Sequence, residues 1–205
     1  MADAHPNARL EAFCDGVFAI ALTLLIIDIR LPAMESIGST AELWRALQHM
    51  APSVFAFVSS FCIILITWVN HRGTLRLVHK SSGTFIYANG FLLLTVVFIP
   101  FPTTLLGAFI WTDHAGPAVF LYDAVLAVQG VAWLLVTGAA IKGHLLNDER
   151  ATSTMGEQKR RAYFAFTFYS LLAVAALWFP VAVAVVTTAS WLFWLTLGLR
   201  INTPE

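Results

Sequence analysis

Long apolar runs separated by short polar breaks dominate this chain. A helix that crosses a bilayer needs about 20 mainly apolar residues. Six windows meet that condition: 9–31, 51–70, 85–106, 117–141, 162–180 and 181–199. The fifth and sixth are divided only at Phe179-Pro180, which predicts a tight hairpin or one broken pair, because proline lacks the helical N–H and disfavours helix in the residue before it. The expected fold is an all-α membrane protein, a single transmembrane domain over residues 1–205 with six helices and no separate soluble domain. The run starting at residue 9 exceeds a signal-peptide h-region and lacks a basic n-region, with Asp3 and Glu11 flanking Arg9. It therefore reads as a span.

Composition agrees. Of 205 residues, 59% are hydrophobic and 12% charged, and the mean hydropathy is +0.76, values outside the range of ordinary soluble domains. The zero net charge hides an asymmetry. With six spans, both termini share a side with the 2–3 and 4–5 loops. That side carries Arg9, Arg72, Arg76, Lys80, Lys142, Arg150, Lys159, Arg160, Arg161 and Arg200, whereas the other carries only Arg30 and Arg45. The positive-inside rule then places both termini in the cytoplasm. The basic 4–5 loop can meet anionic headgroups, although topology alone explains it. Trp44, Trp111, Trp178 and Trp191 fall near predicted span ends, as interfacial aromatics do. Gly130, Gly138 and Ala139 in the fourth span suit close helix packing.

The first window carries the chemistry. Asp15 lies inside it, and an intramembrane carboxylate persists only with a partner or a water-filled cavity, at a cost of about 2.5–3.5 kcal/mol on insertion scales. At 100° per residue, Phe13, Gly16, Ile20, Thr23, Leu24, Ile27 and Leu31 share one face, apolar but for the Thr23 hydroxyl. Asp15 points more than 100° away from the centre of that face. The face is free to contact lipid, pack in a bundle or line a path. Asp15 instead ties the helix to its neighbours. Helix direction brings Arg9, Trp68, Asn70, His71 and Asn89 to its depth, and an indole N–H, an amide or an imidazole can satisfy a carboxylate. A proton relay through Asp15 and His71 is the functional alternative to a structural network.

Other chemistries find little support. Cys14 and Cys62 lie within spans and form neither a disulfide framework nor a metal motif. The histidines (5, 49, 71, 79, 114 and 144) are scattered, without His-Glu-x-x-His or Gly-x-Ser-x-Gly, so the chain does not read as an enzyme. The two halves show no inverted repeat, and Pro100, Pro102 and Pro180 sit near span ends, unlike the broken helices of secondary transporters.

The run Arg9-x-x-x-Phe13-Cys14-Asp15-Gly-Val-Phe-Ala-Ile20-Ala-Leu-Thr23, with Trp68-Val-Asn70-His71-Arg72, Asn89 and Phe98-Ile-Pro100-Phe-Pro102-Thr103, resembles the transmembrane protein 175 family of potassium channels in its bacterial single-repeat form. The likeness covers the first three spans; the last three agree mainly in number and hydropathy. It implies a multi-pass homotetramer in the bacterial inner membrane, with the first helices around a central pore. It further implies a constriction at Ile20, with Thr23 associated with selectivity and Leu24 and Ile27 lower in the lining. Potassium would dwell transiently near Ile20 and Thr23, and no cofactor, resident metal or nucleic acid is expected. Arg9 and Asp15 fall on the motif's charged pair, and His71 and Asn89 on polar positions that hold the pore helix. Cys14 replaces the usual serine, keeping its size but weakening its donor. The familiar Thr-Val-Gly-Tyr-Gly carbonyl filter is absent from the chain, so selectivity would come from side chains, pore radius and partial dehydration. Proton conduction, known among eukaryotic relatives, is the close alternative.

Overall fold

The computed structural model describes residues 7–27, 29 and 37–202, with side chains to residue 196. His5, Arg30, Leu31 and the Arg200 side chain lie outside the described residues. Eight helical segments follow in order: α1 (Ala8–Leu24), α2 (Thr40–His49), α3 (Ala51–Arg76), α4 (Gly83–Phe98), α5 (Pro100–Phe109), α6 (Ala115–Lys142), α7 (Glu149–Ala176) and α8 (Pro180–Asn202). The α4 and α5 segments form one rod, Gly83–Phe109, giving seven helices among the described residues. Three of them, α3, the α4–α5 rod and α6, are long and apolar enough to cross a membrane. The protein is thus an all-helical membrane protein.

Local signals explain the boundaries. The Ser39 hydroxyl accepts from Glu42 N–H to cap α2, and Asp148 and Ser82 likewise cap α7 and α4. Pro180 opens α8, where its missing N–H costs nothing. Pro100 and Pro102 remove two donors from the rod's ladder, and the helix is interrupted at Ile99. These prolines therefore sit inside the rod rather than near its end, a correction to the sequence expectation. A second correction concerns the basic 4–5 loop. Arg150, Lys159, Arg160 and Arg161 lie on α7, which starts at Glu149, well before the apolar window at 162. Its first half is polar and still helical because Asp148 caps it.

Helix α6 is the hub, packed against α4, α5, α7 and α8. A Cβ on Gly130 would lie 2.9 Å from the Phe166 backbone nitrogen, so the α6–α7 approach requires glycine there. Gly138 has open space around it and does not serve packing as expected. At the basic end, the turns after α3 and α6 are stitched together: His79 N–H donates to Leu145 O (2.9 Å) and Asn147 N–H to Leu77 O (3.0 Å). The start of α1 joins them, because the buried Asn7 amide donates to Val78 O (2.8 Å) and accepts from the Ser81 hydroxyl. The start of α1, the end of α3 and the start of α4 therefore share one end of the bundle.

Candidate functional site: the two faces of the first helix

Helix α1 is asymmetric. Cys14, Phe18, Ala21 and Leu25 are buried in the main core, packed on α3 and α4. The other side is bare. Phe13, Gly16, Ile20, Thr23, Leu24 and Ile27 are all exposed, with Phe13, Ile20 and Ile27 at 63%, 59% and 71%. The Thr23 hydroxyl donates to its own backbone at Ile20 O (2.8 Å). That bond consumes its only proton and turns the oxygen lone pairs outward.

Two anchors hold the buried side. The Trp68 indole N–H donates to Asp15 Oδ1 at 2.7 Å, and the Arg72 guanidinium lies over the same indole, 5.9 Å from its centroid. A cation on the ring face strengthens the ring's edge as a donor toward a carboxylate. The second anchor is His71, fully buried between Phe18 of α1 (centroids 5.4 Å apart) and Trp133 of α6 (6.5 Å). Asn89 Nδ2 donates to Phe85 O (2.7 Å), which aims Asn89 Oδ1 at His71 Nε2 (2.8 Å). Because that oxygen only accepts, the proton sits on Nε2. His71 Nδ1 has no partner among the described residues.

Of the five candidate partners for Asp15, only Trp68 bonds it. His71 and Asn89 bond each other. Arg9 is exposed, and among the described residues it forms no ion pair with Asp15. Asn70 instead lines a half-open cavity with α6, α7 and α8. Trp191 lines the same cavity, half-buried, whereas Trp44, Trp111 and Trp178 are exposed; the interfacial assignment of Trp191 is thereby corrected. Cys14 and Cys62 are free thiols, buried and half-buried. Among the described residues no cluster of His, Cys, Asp or Glu could hold a metal ion.

Sequence reasoning missed Asn7, which precedes the first apolar window, and Asp123, which does not. Asp123 is a fully buried carboxylate in the first third of α6; Thr187 Oγ1 donates to its Oδ1 at 2.7 Å, and its Oδ2 has no partner among the described residues. An acid inside an apolar window was a visible signal. Nearby, Ser60 bonds both Thr103 (2.7 Å) and Tyr122 (2.8 Å), pinning α3, α5 and α6 together.

Residues 9–100 match the family described as Endosomal/lysosomal potassium channel TMEM175. The chain is 37% identical over 184 residues to Potassium channel Cha6605_3372 of Chamaesiphon minutus, covering 88% of this chain and 90% of that one. It superposes on the crystal structure of a lysosomal potassium-selective channel TMEM175 homolog from the same organism with a TM-score of 0.81 and 30% identity, over 96% and 98% of the two chains. Over 79 residues it is 37% identical to the Endosomal/lysosomal proton channel TMEM175 of Gallus gallus, a match spanning 36% of this chain and 16% of that one. A helix anchored on one side by Asp15–Trp68 and His71–Asn89, on a fold shared across nearly its whole length with such a channel, places the chain in the TMEM175 family of ion channels, which are not enzymes.

Proposed function

We propose that this chain is the subunit of a potassium channel, weakly selective over sodium, in which four copies surround one axis and α1 lines the path. Each subunit would cross the bacterial inner membrane six times, with both termini cytoplasmic. The observation that carries this reading is the bare face of α1. One subunit leaves Ile20, Thr23, Leu24 and Ile27 uncovered, and cyclic symmetry turns one bare helix face into a ring. An Ile20 ring is a hydrophobic constriction of the kind that gates by dewetting. One turn on, a Thr23 ring presents oxygen lone pairs, since its proton is committed to Ile20 O. Potassium gives up water more cheaply than sodium, so a narrow, weakly polar ring favours potassium modestly.

A proton-conducting reading draws on the name of the Gallus gallus relative and on Asp15 and His71. Among the described residues no hydrogen bond joins these two side chains, which favours the structural role for both. A bilayer recording of the purified protein under a potassium/sodium bi-ionic gradient at two pH values separates the readings. The expected reversal potential lies toward potassium and does not move with pH. A potential that follows protons would transfer the weight to Asp15 and His71.

A further inference from the structure

Helix α2 is the least integrated element of the fold. None of its ten residues is buried, and α3 is its main neighbour. At 100° per residue, Leu43, Trp44 and Leu47 fall within an arc of about 100°, and Glu42, Arg45 and His49 centre on the opposite side. The half-buried residues, Glu42, Ala46 and Met50, lie on one flank between the two. Protein covers that flank and leaves the apolar face out: Leu43, Trp44 and Leu47 are 42%, 64% and 44% exposed. A helix folded for its own subunit turns its apolar stripe toward the core, and α2 does not.

Position in the chain indicates what lies against that face. Helix α3 starts at Ala51, directly after α2, and is long and apolar enough to cross the membrane. Arg72 and Arg76 mark the basic end of α3, and counting back from Arg72 by the about 20 residues of a span reaches Pro52. Helix α2 therefore stands at the opposite membrane boundary. The helical ladder breaks there. Met50 N–H donates to Ala46 O (3.2 Å) and Leu47 O (3.1 Å), the next bond across the junction runs from Val54 N–H to Met50 O (3.0 Å), and Pro52 has no N–H to give. So α2 is a separate helix and not a further turn of the span. Just past the break α3 exposes Val54, Phe55 and Val58, and bare apolar side chains thus continue from α2 onto the span. Trp44 is of the type that seats at a headgroup boundary. The polar face offers little to anionic lipid, because Arg45 is answered by Glu42 (4.0 Å).

We propose that α2 is an in-plane amphipathic helix that docks on the lipid surface at the end of the bundle opposite the basic one. Leu43, Trp44 and Leu47 enter the boundary between headgroups and acyl chains, while Arg45 and His49 face water. Apolar burial drives the docking, so it needs no anionic lipid. The proposal rests on the membrane character of the chain and not on α1 lining a pore.

The test is spin-label accessibility of the full chain in phosphatidylcholine vesicles. Nitroxides are placed on single cysteines at Leu43, Trp44, Arg45, Leu47 and His49 in a Cys14→Ser, Cys62→Ala background. All five positions are exposed, so labelling should leave Tm unchanged. Labels are relaxed either by oxygen, which concentrates in lipid, or by a water-soluble nickel chelate. The ratio of oxygen to nickel collisions should be several-fold higher at Leu43, Trp44 and Leu47 than at Arg45 and His49. The same pattern should persist when anionic phosphatidylglycerol is added. If all five positions are open to nickel, α2 lies in water and the proposal is overturned. Shielding of Leu43, Trp44 and Leu47 from both reagents would put protein, a second copy of the chain included, on that face and overturn it equally. A pattern that appears only with phosphatidylglycerol would overturn the apolar driving force.

Discussion

Helices α1 and α6 are both apolar, and both carry an aspartate, yet the fold treats them oppositely. Helix α6 is surrounded: four helices pack on it, and Asp123 is fully buried with Thr187 as its partner. Helix α1 is held on one side only, by α3 and α4, with Asp15 half-buried against Trp68. The lesson is that apolarity does not say what a helix faces. On the proposed reading, a helix held this firmly on one side, with large aliphatics bare on the other, meets its counterparts in the neighbouring subunits there. On that same reading, the buried face of α1 answers to subunit stability and the bare face to conduction.

Substitutions can break that division of labour. The largest effect on stability is expected from Phe18→Ala on the buried face, which removes the ring packed on His71 and should cost about 3–5 kcal/mol, read as a drop in Tm. Next is Trp68→Phe, which removes the indole N–H and leaves Asp15 Oδ1 unpaired; a loss of about 1–3 kcal/mol, with weakened assembly, is expected from thermal melts and native mass measurement. Ile20→Asn, on the bare face, should leave the subunit's own stability within about 0.5 kcal/mol while raising resting current several-fold at equal expression. The smallest effect belongs to Thr23→Ala. It should leave Tm and current level near wild type and shift only the bi-ionic reversal potential toward zero. A Thr23→Ala channel with unaltered potassium preference would remove Thr23 from the account of selectivity. If instead Ile20→Asn unfolds the protein and Phe18→Ala changes only current, the two faces have been assigned the wrong way round.

Much of α1 was legible before any coordinates, because helical period is geometry. Residues 13, 16, 20, 23, 24 and 27 share a face at 100° per residue, and all six are exposed, together with Ala12, Ala19 and Ile26 beside them. The pairing of Asp15 with Trp68 was legible to within five candidates, since helix direction sets depth but not rotamer. The choice among them depended on Asn89, whose amide is turned by Phe85 O toward His71. The α2 helix was readable and overlooked: Ser39-x-x-Glu42 is a capping signal ahead of a short amphipathic run. The polar half of α7 hid behind its charge, although Asp148 followed by Glu149 marks a helix start. The cavity was not legible at all. Asn70, Gln129, Gln158 and Arg161 come from three helices, and nothing in their spacing along the chain says that they converge.

The most direct measurement of the central claim is silver-ion block of single cysteines along α1. Silver is close to potassium in size and reacts with thiols. In a Cys14→Ser, Cys62→Ala background, cysteines at Ile20, Thr23 and Ile27 sample the bare face, and cysteines at Ala21 and Leu25 sample the buried one. The account predicts rapid, irreversible block of potassium current at the first three positions and none at the other two. Equal block on both faces, or no block at Ile20 and Ile27, would contradict it.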